Sequence, residues 1–140
     1  MFKIKRNVKK QKFEVEIKQI NEEINRSKRH DYNFGVFAVE VSHSVPRGLS
    51  NVMPGKVISF HLMRRYLRNY DKMVGSSLRR YYIILSQTDR HGANAVKQRI
   101  YKLAQKYKWG IVTVGMAIYP EDCKTPQALL DKAISDLSQF

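Results

Sequence analysis

Residues 76–89, "SSLRRYYIILSQTD", set a small polar turn directly before an apolar run of aromatic and β-branched side chains. A run of that length and composition, bounded by turn-forming residues, reads as a β-strand. With "KMVG" just upstream, residues 72–85 are predicted to form a β-hairpin whose turn lies around Gly75, Ser76 and Ser77. Arg79 and Arg80 then stand at the tip, where the apolar strand begins. They are either a solvated tip or a surface for an anion or a partner.

On either side of the hairpin the periodicity changes. Phe13, Ile17, Ile20 and Ile24 recur at helical spacing, a stripe that ends near "RHDYN", and "FGVFAVEV" (34–41) is a short buried strand. "SHSVPRGLSNVMPG" holds two prolines and two glycines and reads as a loop. In "KVISFHLMRRYLRNYD" Ile58, Leu62, Met63, Tyr66, Leu67 and Tyr70 give a broad apolar helix face that ends near Asp71. After the hairpin, Thr88 or Asp89 caps a helix with Ala93, Val96, Ile100, Leu103 and Tyr107 on one face. "WGIVTVGMAIYP" is a further strand. Thr125 and Pro126 open a last helix with Leu129, Leu130, Ala133, Ile134 and Leu137 as its stripe. The order α-β-α-β-β-α-β-α predicts an α+β fold, ferredoxin-like or nucleotidyl-cyclase-like, with a central mostly antiparallel sheet flanked by helices.

The chain has 140 residues, enough for one domain with a real core; residues 1–11 read as a basic arm and 12–140 as the domain. No apolar run is long enough to span a bilayer, and "MFKIKRNVKKQKFEVEI" lacks the uninterrupted apolar stretch of a signal peptide, so a cytoplasmic location is expected. The single Cys123 excludes an internal disulfide and a cysteine-rich metal site. Net charge is +14, a field that attracts polyanions or nucleotide phosphates without saying which.

"TVGMAIYPEDCKTPQALLDKAISDL" resembles the closing part of GGDEF domains, the family of bacterial diguanylate cyclases. There a strand ending in Gly-x-Ala-x-Tyr-Pro leads through an acidic turn and a Thr to a helix with paired leucines. "FEVEIKQINEEINRSKRHDYNFGVFAVEV" is similar to the family's first helix and strand, and "RNYDKMVGSSLRRYYIILSQTDRHGANAVKQRI" to its middle. Nearly all of the chain after the basic arm is covered, and the shared order of the motifs carries the resemblance.

In active members of that family two glycines, two acidic residues and a Phe occupy the hairpin turn, and a carboxylate there helps hold divalent metal. The matching positions here are Ser77, Leu78, Arg79, Arg80 and Tyr81. Magnesium takes hard oxygen ligands, and phosphoryl transfer relies on it to neutralise developing charge; arginine is no such ligand. At the end of the first strand the family has two aspartates one residue apart, the first a metal ligand. This chain has Glu40, Val41 and Ser42, half a site at most. The family's phosphate-binding Lys and guanine-contacting Asn and Asp have no match in "SHSVPRGLSNVMPG", with Asn51 as the one remnant. The resemblance implies a degenerate member without catalysis, metal or cofactor.

Many GGDEF domains also bind their product at an Arg-x-x-Asp motif ahead of the hairpin, with a further arginine on the helix after it. "RNYD" supplies Arg68 and Asp71 in that register, and the further arginine falls at Arg99. Cyclic di-GMP suits these groups: arginine meets guanine O6 and N7 with two parallel donors, and a carboxylate accepts from guanine N–H groups. Arg68 and Asp71 are expected to share a helix face at i and i+3, the spacing that would equally make them a plain solvent-exposed ion pair.

Three function classes follow: a noncatalytic signalling domain that binds cyclic di-GMP and regulates a protein partner or homodimer; an interaction scaffold without nucleotide binding; and a basic nucleic-acid-binding domain motivated by the charge. His30, His43, His61 and His91 lack metal-ligand spacing. Trp109, Tyr81, Tyr82 and Tyr119, beside or within strands, are expected in the core rather than stacked on bases.

Overall fold

The computed structural model describes residues 13–42, 63–75 and 80–137. The basic arm, the loop from 43, residues 56–62 of the helix expected at 56–71, His43, Asn51, His61, and the hairpin positions Ser77, Leu78 and Arg79 lie outside the described residues. The elements are α1 (Glu14–His30), β1 (Phe34–Ser42), β2 (Lys72–Gly75), β3 (Arg80–Leu85), α2 (Arg90–Tyr107), β4 (Ile111–Tyr119) and α3 (Pro126–Asp136).

The strands form one sheet in the order β2-β3-β1-β4, antiparallel at every pairing. Residues 81–85 lack polar alternation because both faces of the sheet are covered. Phe37, Val39 and Val41 of β1, Tyr81, Ile83 and Leu85 of β3, and Val112, Val114 and Ile118 of β4 pack with Ala93, Ile100 and Leu103 of α2. On the other face Phe34, Val36, Ala38, Tyr82, Ile84, Ala117 and Tyr119 meet Ile20 and Ile24 of α1 and Leu129, Leu130 and Ala133 of α3. Burying one such side chain stabilises by about 1.5–3 kcal/mol, against about 0–1 kcal/mol for an exposed ion pair. The two apolar layers therefore hold the sheet.

The helix ends follow from their caps. Asp89, one of the two residues expected to cap α2, accepts from Gly92 N at 2.8 Å. Thr125 accepts from Ala128 N at 3.2 Å, with Pro126 at the first turn of α3. Two details depart from the helical stripes. Tyr107, placed on the buried face of α2 by spacing, is 38% exposed; it is the last residue of the helix, and its ring stacks on the buried Trp109 at 6.3 Å. Of the helix expected to reach Asp71, residues 63–66 are helical and the chain then bends and turns.

β4 is an edge of this sheet, and three of its outward N–H groups are taken by side chains. Val114 N donates to the Tyr101 hydroxyl at 3.2 Å, Met116 N to Asp136 Oδ2 at 3.1 Å and Ile118 N to Asp122 Oδ2 at 2.8 Å. Side chains that take edge donors in this way make the edge a poorer template for another strand.

Candidate functional site

The bend after the 63–66 helical turn is built around Asp71. Its carboxylate accepts four hydrogen bonds: from Arg68 N and Nε at 3.0 Å each, from Arg68 Nη2 at 3.1 Å and from Ser86 N at 3.2 Å. A carboxylate has about four acceptor sites, so none remains for a ligand. Asp71 is also only 2% exposed. The expected shared helix face is thus corrected, and so is the alternative of a plain exposed pair: Arg68 and Asp71 form a closed turn that pins the entry of β2 to the exit of β3. The helix stops short where the chain folds back so that Arg68 and Ser86 supply fixed donors to the buried Asp71 carboxylate.

Arg68 Nη2 continues to Ser86 O at 2.7 Å and Thr88 Oγ1 at 2.8 Å, and the guanidinium stacks on the Tyr70 ring at 4.6 Å. The bond to Asp71 raises the Arg68 pKa further and fixes its charge. None of these bonds uses Nη1, and the side chain is 42% exposed. Arg68 therefore presents a fixed positive charge with Nη1 donors, its two-donor fork being engaged by Asp71.

Arg68, Asp71 and Arg99 line one cleft of about 630 Å³, together with Asp31, Tyr32, Tyr66, Gln87 and Asp89. Arg99 reaches it because α2 buries Ala93 and Ile100 and turns Gly92, Val96 and Arg99 toward the opening. Its side chain is exposed and makes no hydrogen bond or ion pair among the described residues.

Behind the cleft lies a polar network that the sequence reading missed. Glu23 of α1 accepts from the Tyr32 hydroxyl at 2.7 Å, from Ser86 Oγ at 2.7 Å and from Arg26 Nη1 at 3.0 Å. Ser86 thereby bonds to Glu23, Asp71 and Arg68 at once. The available signal was position: Glu16, Glu23 and Ser27 fall on the same buried stripe of α1 as Ile20 and Ile24.

At the other end of the sheet, Glu40 and Arg80 are cross-strand partners on β1 and β3. Arg80 Nε and Nη2 donate to Glu40 Oε2 at 3.1 and 2.7 Å, with the two side chains 29% and 35% exposed. Arg80 is accordingly not a solvated tip but half of an ion pair. A guanidinium thus stands against the carboxylate, and no group of three or more metal-ligating side chains occurs among the described residues. Tyr81, Tyr82, Trp109 and Tyr119 are buried in the core as expected, while His30 and His91 are exposed.

No family model and no curated protein matches the chain. Solved structures do. A DGC protein from Thermotoga maritima superposes with TM-score 0.71 at 12% identity, covering 85% of this chain and 88% of the other. The isolated GGDEF domain of YfiN (TpbB) from Pseudomonas aeruginosa gives 0.67 at 18% identity over 85% and 77% of the two chains. The GGDEF domain of DgcB from Caulobacter crescentus, in complex with c-di-GMP, gives 0.66 at 8% identity over 86% and 77%. With its sheet order, its antiparallel register and these superpositions, the chain has the fold of a GGDEF domain.

Proposed function

We propose that the chain is a noncatalytic GGDEF-fold signalling domain that binds cyclic di-GMP in the cleft between Arg68 and Arg99 and passes its occupancy to a protein partner. The observation that carries this reading is the convergence of Arg68, Asp71 and Arg99, from the bend before β2 and from α2, on one cleft. Its volume of about 630 Å³ is within the range of small-molecule sites. Arg99 keeps a planar fork for guanine O6 and N7, and Arg68 holds a fixed charge for phosphate or base oxygens. Asp71 acts as a positioning residue that sets Arg68. The domain of DgcB, with the same fold, is seen with this nucleotide. The bonds from Arg68 through Ser86 to Glu23 supply a physical link from the cleft to α1. The Arg80–Glu40 pair supports the noncatalytic half of the reading, because it neutralises the carboxylate that phosphoryl transfer would need for metal.

Calorimetric titration of cyclic di-GMP tests the binding. Arg99→Ala is the informative variant, expected to weaken binding about tenfold or more through loss of charged hydrogen bonds. Arg68→Ala is a poor choice, since it leaves the buried Asp71 charge without its partner at a cost of about 3–5 kcal/mol. Absence of binding to the folded wild type would leave an interaction scaffold. Conversion of GTP to cyclic di-GMP in the presence of magnesium, followed by chromatography, would overturn the noncatalytic reading.

A further inference from the structure

Asp31 follows α1 in the left-handed conformation, φ 53° and ψ 66°, with its N–H closing the helix on Ser27 O. Two local rules disfavour aspartate at this position. The left-handed residue after a helix is most often glycine and sometimes asparagine. A carboxylate there also faces the negative end of the helix dipole. Its side chain is exposed and makes no hydrogen bond or ion pair among the described residues, Lys28 and Arg29 of the last turn included. Yet it lines the same cleft as Arg68 and Arg99. A residue that breaks local rules at the mouth of a cleft holding two arginines points to a ligand rather than to the fold.

Guanine identifies what that ligand group is. Its Watson–Crick edge presents the N1–H and N2–H donors side by side, a match for the two oxygens of a carboxylate, while O6 and N7 accept from an arginine fork. Asp71 cannot serve, because its four acceptor sites are occupied by Arg68 and Ser86, and Asp89 already has Oδ1 engaged by Gly92 N at the cap of α2, which leaves Asp31 as the carboxylate with both oxygens open. We infer that Asp31 is the specificity-determining acceptor for guanine in this cleft, with Asp71 confined to positioning Arg68. The inference rests on the proposed binding of cyclic di-GMP and names the residue that makes that binding selective for guanine.

The test compares wild type, Asp31→Asn and Asp31→Gly in calorimetric titrations with cyclic di-GMP and with cyclic di-IMP, whose bases lack the N2 amine. Wild type is expected to bind cyclic di-GMP about tenfold or more tighter than cyclic di-IMP. Both variants are expected to bind cyclic di-GMP about tenfold or more weakly and to lose the preference. Their melting temperatures should be equal to or above wild type, since asparagine and glycine suit the left-handed position better. Loss of affinity together with a gain in thermal stability separates a binding role from a structural one. Wild-type affinity and preference in both variants would overturn the assignment of Asp31 and leave the binding reading intact. Failure of the wild type to bind cyclic di-GMP would overturn the binding reading and the assignment with it.

Discussion

Glu16 and Glu23 stand two turns apart on the buried side of α1, and the difference between them lies in their partners. Glu23 receives Tyr32, Ser86 and Arg26. Glu16 is buried, and its Oε2 has no hydrogen-bond partner among the described residues. Burial accordingly raises the Glu16 pKa, opposed in part by a hydrogen bond from its own backbone. A carboxyl whose folded pKa is raised binds its proton more readily in the folded than in the unfolded state. The protein therefore bears the cost of the buried charge above the folded pKa and is relieved of it as pH falls through that value toward the ordinary one. Glu16→Gln is expected to stabilise by about 1 kcal/mol at neutral pH. The gain should shrink on acidification, as urea unfolding across pH would show; a gain independent of pH would contradict the role of the charge. Neither glutamate was legible as buried, because a long polar side chain on an apolar stripe reads as snorkelling to solvent until its neighbours are known.

The elements were more legible than the bends between them. Strand β4 and helix α3 announce themselves by composition and by the Thr125–Pro126 cap, but their close approach does not. Gly115 lies where a Cβ would fall 2.0 Å from Ala133 O and 3.0 Å from Leu137 N, backbone atoms of α3 and its C-cap that cannot rotate away. Gly115→Ala must push α3 off the sheet, disturbing the burial of Leu130 and Ala133 and the bond from Met116 N to Asp136. An expected loss of more than about 2 kcal/mol, measured by chemical denaturation, follows from overpacking of this kind. A near-neutral result would mean that α3 can shift freely. The helix expected to end at Asp71 was overextended for the opposite reason: Leu67 and Tyr70 satisfy helical spacing, yet Ser86, distant in sequence, supplies a fourth bond to Asp71 that only the bent chain can accept.

Over the whole molecule the charge of +14 acts as a long-range field, distinct from any one site. Duplex DNA is expected to bind weakly and without regard to sequence, with affinity falling steeply as salt rises. Cyclic di-GMP held by directed hydrogen bonds should lose far less affinity over the same range, and at about a hundredfold above its dissociation constant should stabilise the fold by about 2.7 kcal/mol. Fluorescence anisotropy with labelled DNA and thermal melts with the nucleotide, each at several salt concentrations, check the contrast. Sequence-selective DNA binding that survives moderate salt would favour the nucleic-acid reading instead. No described helix is long and apolar enough to cross a membrane.

By itself the sequence determined the order and type of the four strands and of α1, α2 and α3, the adjacency of β2 and β3, the caps of α2 and α3 and the aromatic core. All of these depend on periodicity and on chemistry within a few residues, which a linear chain displays. That Arg68, Asp71 and Arg99 would lie near one another was expected from the resemblance, and the three line one cleft. Only the tertiary structure decided what those residues do: that Asp71 has all its acceptors filled, that Arg80 neutralises Glu40, and that Asp31 shares a cleft with Arg68 and Arg99. The physical reason is that a polar side chain's role depends on which donors and acceptors reach it. Here the partners lie on other strands and bends, and only packing of the sheet brings them together.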